Sequence, residues 1–154
     1  MFRSILVAVD GSPAATCALK EAIDIARSEG ARLTLITVAK VPSWPMGVGP
    51  FAAPLWTEAD LEYAAREVLE EAENLIPDDV PFSSVVGHGP PPAAILSRVN
   101  AACHDLVVMG SRGLGPAGAF VLGSVSRAVV AQSPVPVLVT RAAQAQPLEP
   151  AFAT

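Results

Sequence analysis

Five short apolar runs, spaced along the chain, constrain its fold more than any other feature. They are residues 5–9 (Ile-Leu-Val-Ala-Val), 33–38 (Leu-Thr-Leu-Ile-Thr-Val), 82–86, 106–109 and 135–139. The first is continuously apolar, the look of a strand buried on both faces. Between the runs lie segments with helical spacing. Ser12 is a good N-cap, Pro13 a good first helical residue, Ala18, Leu19, Ala22, Ile25 and Ala26 form a stripe, and Gly30 stands where a C-terminal cap belongs. Thr57 to Asp60 opens a second helix with a cap-like residue and early acids. Its predicted stripe is Leu61, Ala65, Val68, Leu69, Ala72 and Leu75, and Pro77 stops it. Glu67, Glu70, Glu71 and Glu73 read as its solvated face. Pro90 to Pro92 lead into a helix carrying Ile95, Leu96 and Val99, and a last helix spans Ser124–Gln132. Strands alternating with helices imply a parallel α/β sheet covered on both faces.

Ligands of such sheets bind beyond the carboxyl ends of the strands, where the strand order reverses. Two candidate stretches lie at such ends. Asp10-Gly11-Ser12 follows the first run. After the fourth comes residues 109–130, with glycines at 110, 113, 115, 118 and 123 and a helix start near Ser124. Glycine lets backbone N–H groups approach an anion closely, and a helix N-terminus adds unpaired donors and a positive dipole end. That is the grammar of a phosphate cradle. The two stretches can share one site if their strands are neighbours.

The composition limits whose phosphate it is. A net charge of −5 over 154 residues argues against a sequence-blind nucleic-acid binder or an anionic-membrane binder. Phosphate binding must then be local, made by backbone and hydroxyls. The first residues hold one arginine and an apolar run cut short by Asp10, which is no signal peptide. The window 106–125 has a single charge, Arg112, yet Gly and Pro at its centre disqualify it as a membrane span. Cys17 and Cys103 form no CxxC pair and read as two buried thiols in a reducing cytosol, so the expected location is cytoplasmic.

Short motifs discriminate poorly. Gly113-Leu-Gly115-Pro-Ala-Gly118 matches G-x-G-x-x-G literally, but Pro116 sits inside it and no acid lies near Val135 for a ribose. No Gly-Lys-Ser/Thr occurs, which removes Walker A. A longer spacing says more: Gly110-x2-Gly113-x9-Gly123-Ser124. With Asp10-Gly11-Ser12 after the first strand, and Met-Gly-Ser-Arg-Gly closing the fourth, the chain resembles the universal stress protein family. The resemblance runs from Phe2 to Arg141 and is to the nucleotide-binding branch, in which that glycine pattern accompanies ATP binding.

The resemblance implies an open five-stranded parallel sheet in order 3-2-1-4-5, Rossmann-like, with helices on both faces. It also implies a homodimer built along the last strand. Carried over by position, Asp10 would contact the ribose or adenine end and the backbone at Val38 the adenine. Gly110, Gly113, Gly123, Ser124 and Val125 would surround the phosphates, with Gly11, Met109, Arg112 and Ser126 completing the candidate set. The cofactor implied is ATP, with ADP or AMP as alternatives, and Mg²⁺ held through the phosphates with help from Asp10 and Ser124. On the residues alone, Asp10 has a second role open to it, accepting N–H groups of its own turn, and Ser124 reads as N-cap of the last helix. Arg127 falls in that helix's first turn, where a bound polyphosphate would offset its repulsion from the dipole. The loop 114–122 carries no charge, which weakens any preference for triphosphate.

Catalytic constellations are thin. There is no G-x-S-x-G, no H-E-x-x-H and no metal-spaced cluster, and His88 and His104 read as surface or structural residues. The expectation is an ATP-binding regulatory module with an unidentified protein partner, the alternatives being a slow ATP hydrolase or autophosphorylating protein of the same fold, or a nucleotide-free interaction protein. The third would use the loop 39–56, which holds four prolines, Trp44, Met46, Phe51 and Trp56. That loop is either a lid or contact surface, or apolar chain folded over its own sheet. Residues 1–141 are expected to form one domain and 142–154 a flexible tail.

Overall fold

The computed structural model describes residues 1–39, 57–111 and 122–142. Nine elements alternate: β1 (Ser4–Ala8), α1 (Pro13–Glu29), β2 (Arg32–Val38), α2 (Glu58–Glu73), β3 (Phe82–Gly87), α3 (Pro91–Ala101), β4 (Leu106–Gly110), α4 (Ser124–Gln132) and β5 (Val137–Thr140). The strands form one parallel sheet in the order β3-β2-β1-β4-β5, as expected. The loop 40–56, Arg112, Gly113 and the rest of 112–121, and the tail 143–154 lie outside the described residues.

Two cores explain why the strand runs are apolar without alternation. Ile5, Val7, Leu33, Leu35, Leu106 and Val108 pack under α1 and α2 with Leu19, Ala22 and Leu69. On the opposite face Leu6, Ile36, Val107 and Met109 pack against Ile95, Val99 and Val129 of α3 and α4. A central strand therefore buries consecutive residues along its middle, alternate positions on opposite faces.

The helix boundaries follow local chemistry. Ser12 Oγ accepts the Ala15 N–H at 3.2 Å, Pro13 takes the first helical position, and Gly30 ends α1 at φ 67, left-handed backbone that suits glycine. Thr57 and Asp60 close a reciprocal capping box: Thr57 N–H donates to Asp60 Oδ2 at 2.8 Å and Asp60 N–H to Thr57 Oγ1 at 3.2 Å.

Four expectations need correction. The cap of α4 is Gly123, and Ser124 is the first helical residue. Leu75 is 47% exposed, because α2 ends at Glu73 and Ile76 and Val80 take the buried places instead. Strand β5 begins at Val137 and not at Val135. There, Ser133 Oγ both donates to Val135 O at 2.8 Å and accepts from Val135 N–H at 3.2 Å, which uses that residue's backbone groups in a turn. Neither thiol is buried: Cys17 is half-buried and Cys103 exposed.

Candidate functional site

The carboxyl ends of β2, β1 and β4 lie side by side. Ala8 pairs with Ile36 on one side and with Met109 on the other. Two residues further along, this register puts Asp10 level with Val38 and with Ser111. The Val9 N–H still donates to Ile36 O at 2.9 Å, so the ladder holds up to the turn. The Asp10-Gly11 turn and the glycine stretch after β4 thus meet at one edge.

Asp10 is half-buried, and its Oδ1 accepts the Ser12 N–H at 3.0 Å. The carboxylate therefore takes the turn-holding role that the sequence left open. Gly11 has φ 77, left-handed backbone again, and a side chain there would have room, the nearest atom being Val68 Cγ2 at 3.8 Å. Backbone conformation, not crowding, calls for glycine. Val38 closes β2 level with Gly87, and the next N–H, that of Ala39, donates to Gly87 O at 3.0 Å. Met109 is 4% exposed in the α3/α4 core, so only its backbone faces the edge.

Gly110 is where α1 approaches most closely. A Cβ there would lie 2.8 Å from the Ala14 carbonyl carbon and 2.9 Å from Ala15 N. The first turn of α1 is further held by Thr140 Oγ1, which donates to Ala14 O at 3.1 Å. The missing side chain of Gly110 is thus filled by helix backbone.

Ser111 ties β4, β5 and α4 together. Its N–H donates to Thr140 O at 2.6 Å, while its carbonyl accepts the Gly123 N–H and the Ser126 hydroxyl, each at 2.8 Å. Ser126 is 2% exposed and shares its hydroxyl proton with Gly123 O at 3.2 Å, so that proton is committed within the protein. Ser124 is exposed and Val125 half-buried against the α3/α4 core. The N-cap of α4 makes no side-chain cap hydrogen bond, which leaves first-turn amides and the positive end of the dipole for an anion. Arg127 is exposed beside this turn. Sequence reasoning singled out neither Ser111 nor Thr140 as organisers. Their partners are up to 126 residues away, and nothing local signals them.

Beside Gly11, a cavity of about 240 Å³ opens between α1 and α2, lined by Val9, Thr16, Leu19, Val68, Glu71 and Leu75 among others. Exposed Leu75 belongs to this groove. His88, which follows β3 at the same edge, is 73% exposed with Nε2 3.8 Å from Glu62.

A serine–histidine contact does occur, at the other end of the sheet. Ser4 Oγ lies 2.9 Å from His104 Nδ1, and Asp105 is adjacent. It is not a catalytic triad. A triad needs the carboxylate on the second ring nitrogen, whereas His104 Nε2 is buried without a partner and Asp105 accepts the backbone N–H groups of Arg3 and Ser4. Among the described residues no three His, Cys, Asp or Glu side chains group to hold a metal ion, and no helix is long and apolar enough to cross a membrane.

The sequence model of the universal stress protein family matches residues 1–141. A universal stress protein of Thermus aquaticus is 37% identical over 143 residues, 92% of this chain and 100% of the relative. A solved universal stress protein in complex with cAMP is similar at 25% identity and TM-score 0.63, over 92% of this chain and 99% of that one. The fold is shared too by the universal stress protein of Archaeoglobus fulgidus in complex with dAMP, with TM-score 0.68 and 22% identity over 90% and 98% of the two chains. The chain belongs to the universal stress protein family.

Proposed function

We propose that this chain binds an adenine nucleotide at the shared carboxyl edge of β1, β2 and β4, and works as a dimeric stress-response or regulatory module in the cytoplasm. ATP is the ligand favoured, with ADP and AMP as alternatives and Mg²⁺ held through the phosphates. One observation carries the reading: β1 and β4 are neighbours, so the Asp10 turn and the start of α4 stand at one edge. The family relative solved with cAMP supports the ligand class.

The residues present suit such a group. The Asp10 carboxylate can accept from sugar hydroxyls with the oxygen that Ser12 does not use, and the backbone at Val38 is at hand for the base. Gly110, Gly123, Ser124, Val125 and the backbone of Ser126 surround the phosphate end, with Gly113 and Arg112 assigned there by the family pattern. Gly11 and Met109 contribute backbone. Mg²⁺ keeps most of its waters and needs few protein ligands when phosphates are present. The dimer would form along β5, a four-residue strand with one side unpaired among the described residues. Residues 1–141 form the domain of this reading, and 142–154 its tail.

The test is to denature the purified protein, identify any released nucleotide by mass spectrometry, and titrate the emptied protein with ATP and Mg²⁺. Asp10→Ala removes a charge-assisted hydrogen bond of about 1.5–3 kcal/mol, so binding should weaken about 10- to 100-fold. An empty protein with no thermal shift at millimolar ATP would sink the proposal. Sedimentation should give twice 15.8 kDa; the monomer mass at every concentration would overturn the dimer. Multiple turnover lost in Asp10→Ala would make the chain a slow hydrolase instead.

A further inference from the structure

The opposite edge of the sheet, where the strands begin, holds a polar cluster that the nucleotide site does not use. Asp105 stands just before β4. Its carboxylate accepts the Arg3 N–H at 2.7 Å and the Ser4 N–H at 3.1 Å, and its own N–H donates to Ser4 O at 2.9 Å. His104, 4% exposed, completes the tie: its N–H donates to Val99 O at 3.2 Å, Nδ1 meets Ser4 Oγ at 2.9 Å, and Nε2 is buried without a partner. Arg98 Nε, on α3, is likewise buried and unpartnered. Arg32 of β2 pairs with Ser4 and donates its N–H to Arg3 O at 3.1 Å. The turn leading from α3 into this corner has Cys103 at φ 51, left-handed backbone that a side chain disfavours.

A neutral imidazole fits this corner and an imidazolium does not. The charged ring carries a proton on both nitrogens, so that Nε2–H has no acceptor in either arrangement at Nδ1, and it adds a buried positive charge near the Arg98 and Arg32 guanidinium groups. The charged groups acting on it are Arg98 from α3, Arg32 from β2 and Asp105 ahead of β4. The one carboxylate among them already serves two backbone amides.

We propose that His104 is an acid-released latch: neutral, it fastens the α3–β4 turn to the start of β1, and on taking a proton it lets this edge open before the rest of the sheet. The strands it fastens are those whose far ends carry Asp10 and Gly110. Burial, and after it the Arg98 charge, holds the His104 pKa below the ordinary imidazole value; Arg32 adds to this, while Asp105 and the Ser4 backbone oppose it. The open form binds protons at the ordinary value, about 6.5. Stability of the edge is therefore full above that pH and falls as pH drops below it, until folded His104 itself titrates. Each pH unit in that window changes the opening equilibrium by about tenfold.

NMR of the full chain with labelled histidine follows the His104 titration. His104 should titrate well below the ordinary imidazole value of about 6.5. Amide exchange at Ser4, His104 and Asp105, corrected for its intrinsic pH dependence, should then accelerate by about tenfold per unit below about pH 6.5 relative to Val7 and Val108. His104→Asn cannot gain charge and should remove the acceleration. Arg98→Gln, which keeps the ring, should move the His104 titration up toward the ordinary imidazole value. The latch is overturned if His104 titrates at or above the ordinary imidazole value of about 6.5, or if the edge amides keep pace with Val7 and Val108 down to about pH 5.

Discussion

Two glycines at strand ends differ in what their missing side chains allow. At Gly110 an added Cβ would meet helix backbone, the Ala14 carbonyl carbon at 2.8 Å and Ala15 N at 2.9 Å. Backbone held by α1 and by the Thr140 hydrogen bond cannot step aside. At Gly87 the contacts are Ala94 Cβ at 3.1 Å and the tips of Ile36 and Val38 at 3.3 Å, side-chain atoms that can yield by a few tenths of an ångström. Gly110→Ala should therefore cost about 1–3 kcal/mol, the usual range for overpacking, and Gly87→Ala less. Urea unfolding of the two variants checks the order; equal losses would mean that the helix start gives way as easily as side chains do. The comparison also separates structure from binding at Gly110, since its contacts demand glycine whether or not a phosphate is present.

At the scale of elements, α4 shows how a tertiary contact chooses a cap. Serine is favoured over glycine as an N-cap, and by local preference Ser124 should hold that place. The Gly123 N–H is instead drawn to Ser111 O, and Ser126 Oγ bonds the same carbonyl from one turn further in. Gly123 becomes the cap and Ser124 moves to an exposed first helical position. Ser124→Ala should then change stability by less than about 0.5 kcal/mol. Ser126→Ala removes a hydrogen bond from a buried hydroxyl while Ser111 O and Gly123 O keep the N–H groups of Gly123 and Arg127, and should cost about 0.5–1.5 kcal/mol. Thermal or urea unfolding without nucleotide decides it; a larger loss for Ser124→Ala would restore Ser124 as the working cap. Where no distant group competes, local chemistry prevails: Ser12, Gly30 and the Thr57–Asp60 box all stand where the sequence puts them.

For the whole molecule, stability should fall in two stages on acidification. The first begins below about pH 6.5 and belongs to His104. The second belongs to exposed carboxylates held below the ordinary value. Hydrogen bonds from the Thr57 side chain and backbone lower Asp60, and the Arg27 hydrogen bond and charge lower Asp79. Both Arg27 contacts to Asp79 are short, Nε to Oδ2 at 3.0 Å and NH2 to Oδ1 at 2.7 Å. A depressed carboxylate stabilises the fold above its unfolded value, near 3.9, and that contribution is lost as pH falls through the folded value. Urea midpoints measured from neutral pH to about pH 3 should show both stages. Asp79→Asn should shrink only the second, and that share should fade with added salt because the pair is exposed to solvent. A single smooth decline unchanged by Asp79→Asn would contradict this division.

The sequence by itself determined the elements and the family. Apolar runs, caps and glycine stops act over a few residues, so five strands and four helices were legible with ends misplaced by only a residue or two. The residues that resemble the universal stress proteins supplied the sheet order, which periodicity alone does not contain. Tertiary structure decided whatever rests on contacts between distant residues. It brought Asp10 level with Ser111, filled the space at Gly110 with α1, passed the α4 cap to Gly123 and exposed Leu75 beside a groove. It also closed Ser4, Arg98 and His104 into one corner, although Ser4 and His104 lie 100 residues apart. The physical reason is range: a cap or a strand is specified by neighbours along the chain, whereas a buried hydrogen bond or a close approach exists only once the sheet has brought distant backbone together.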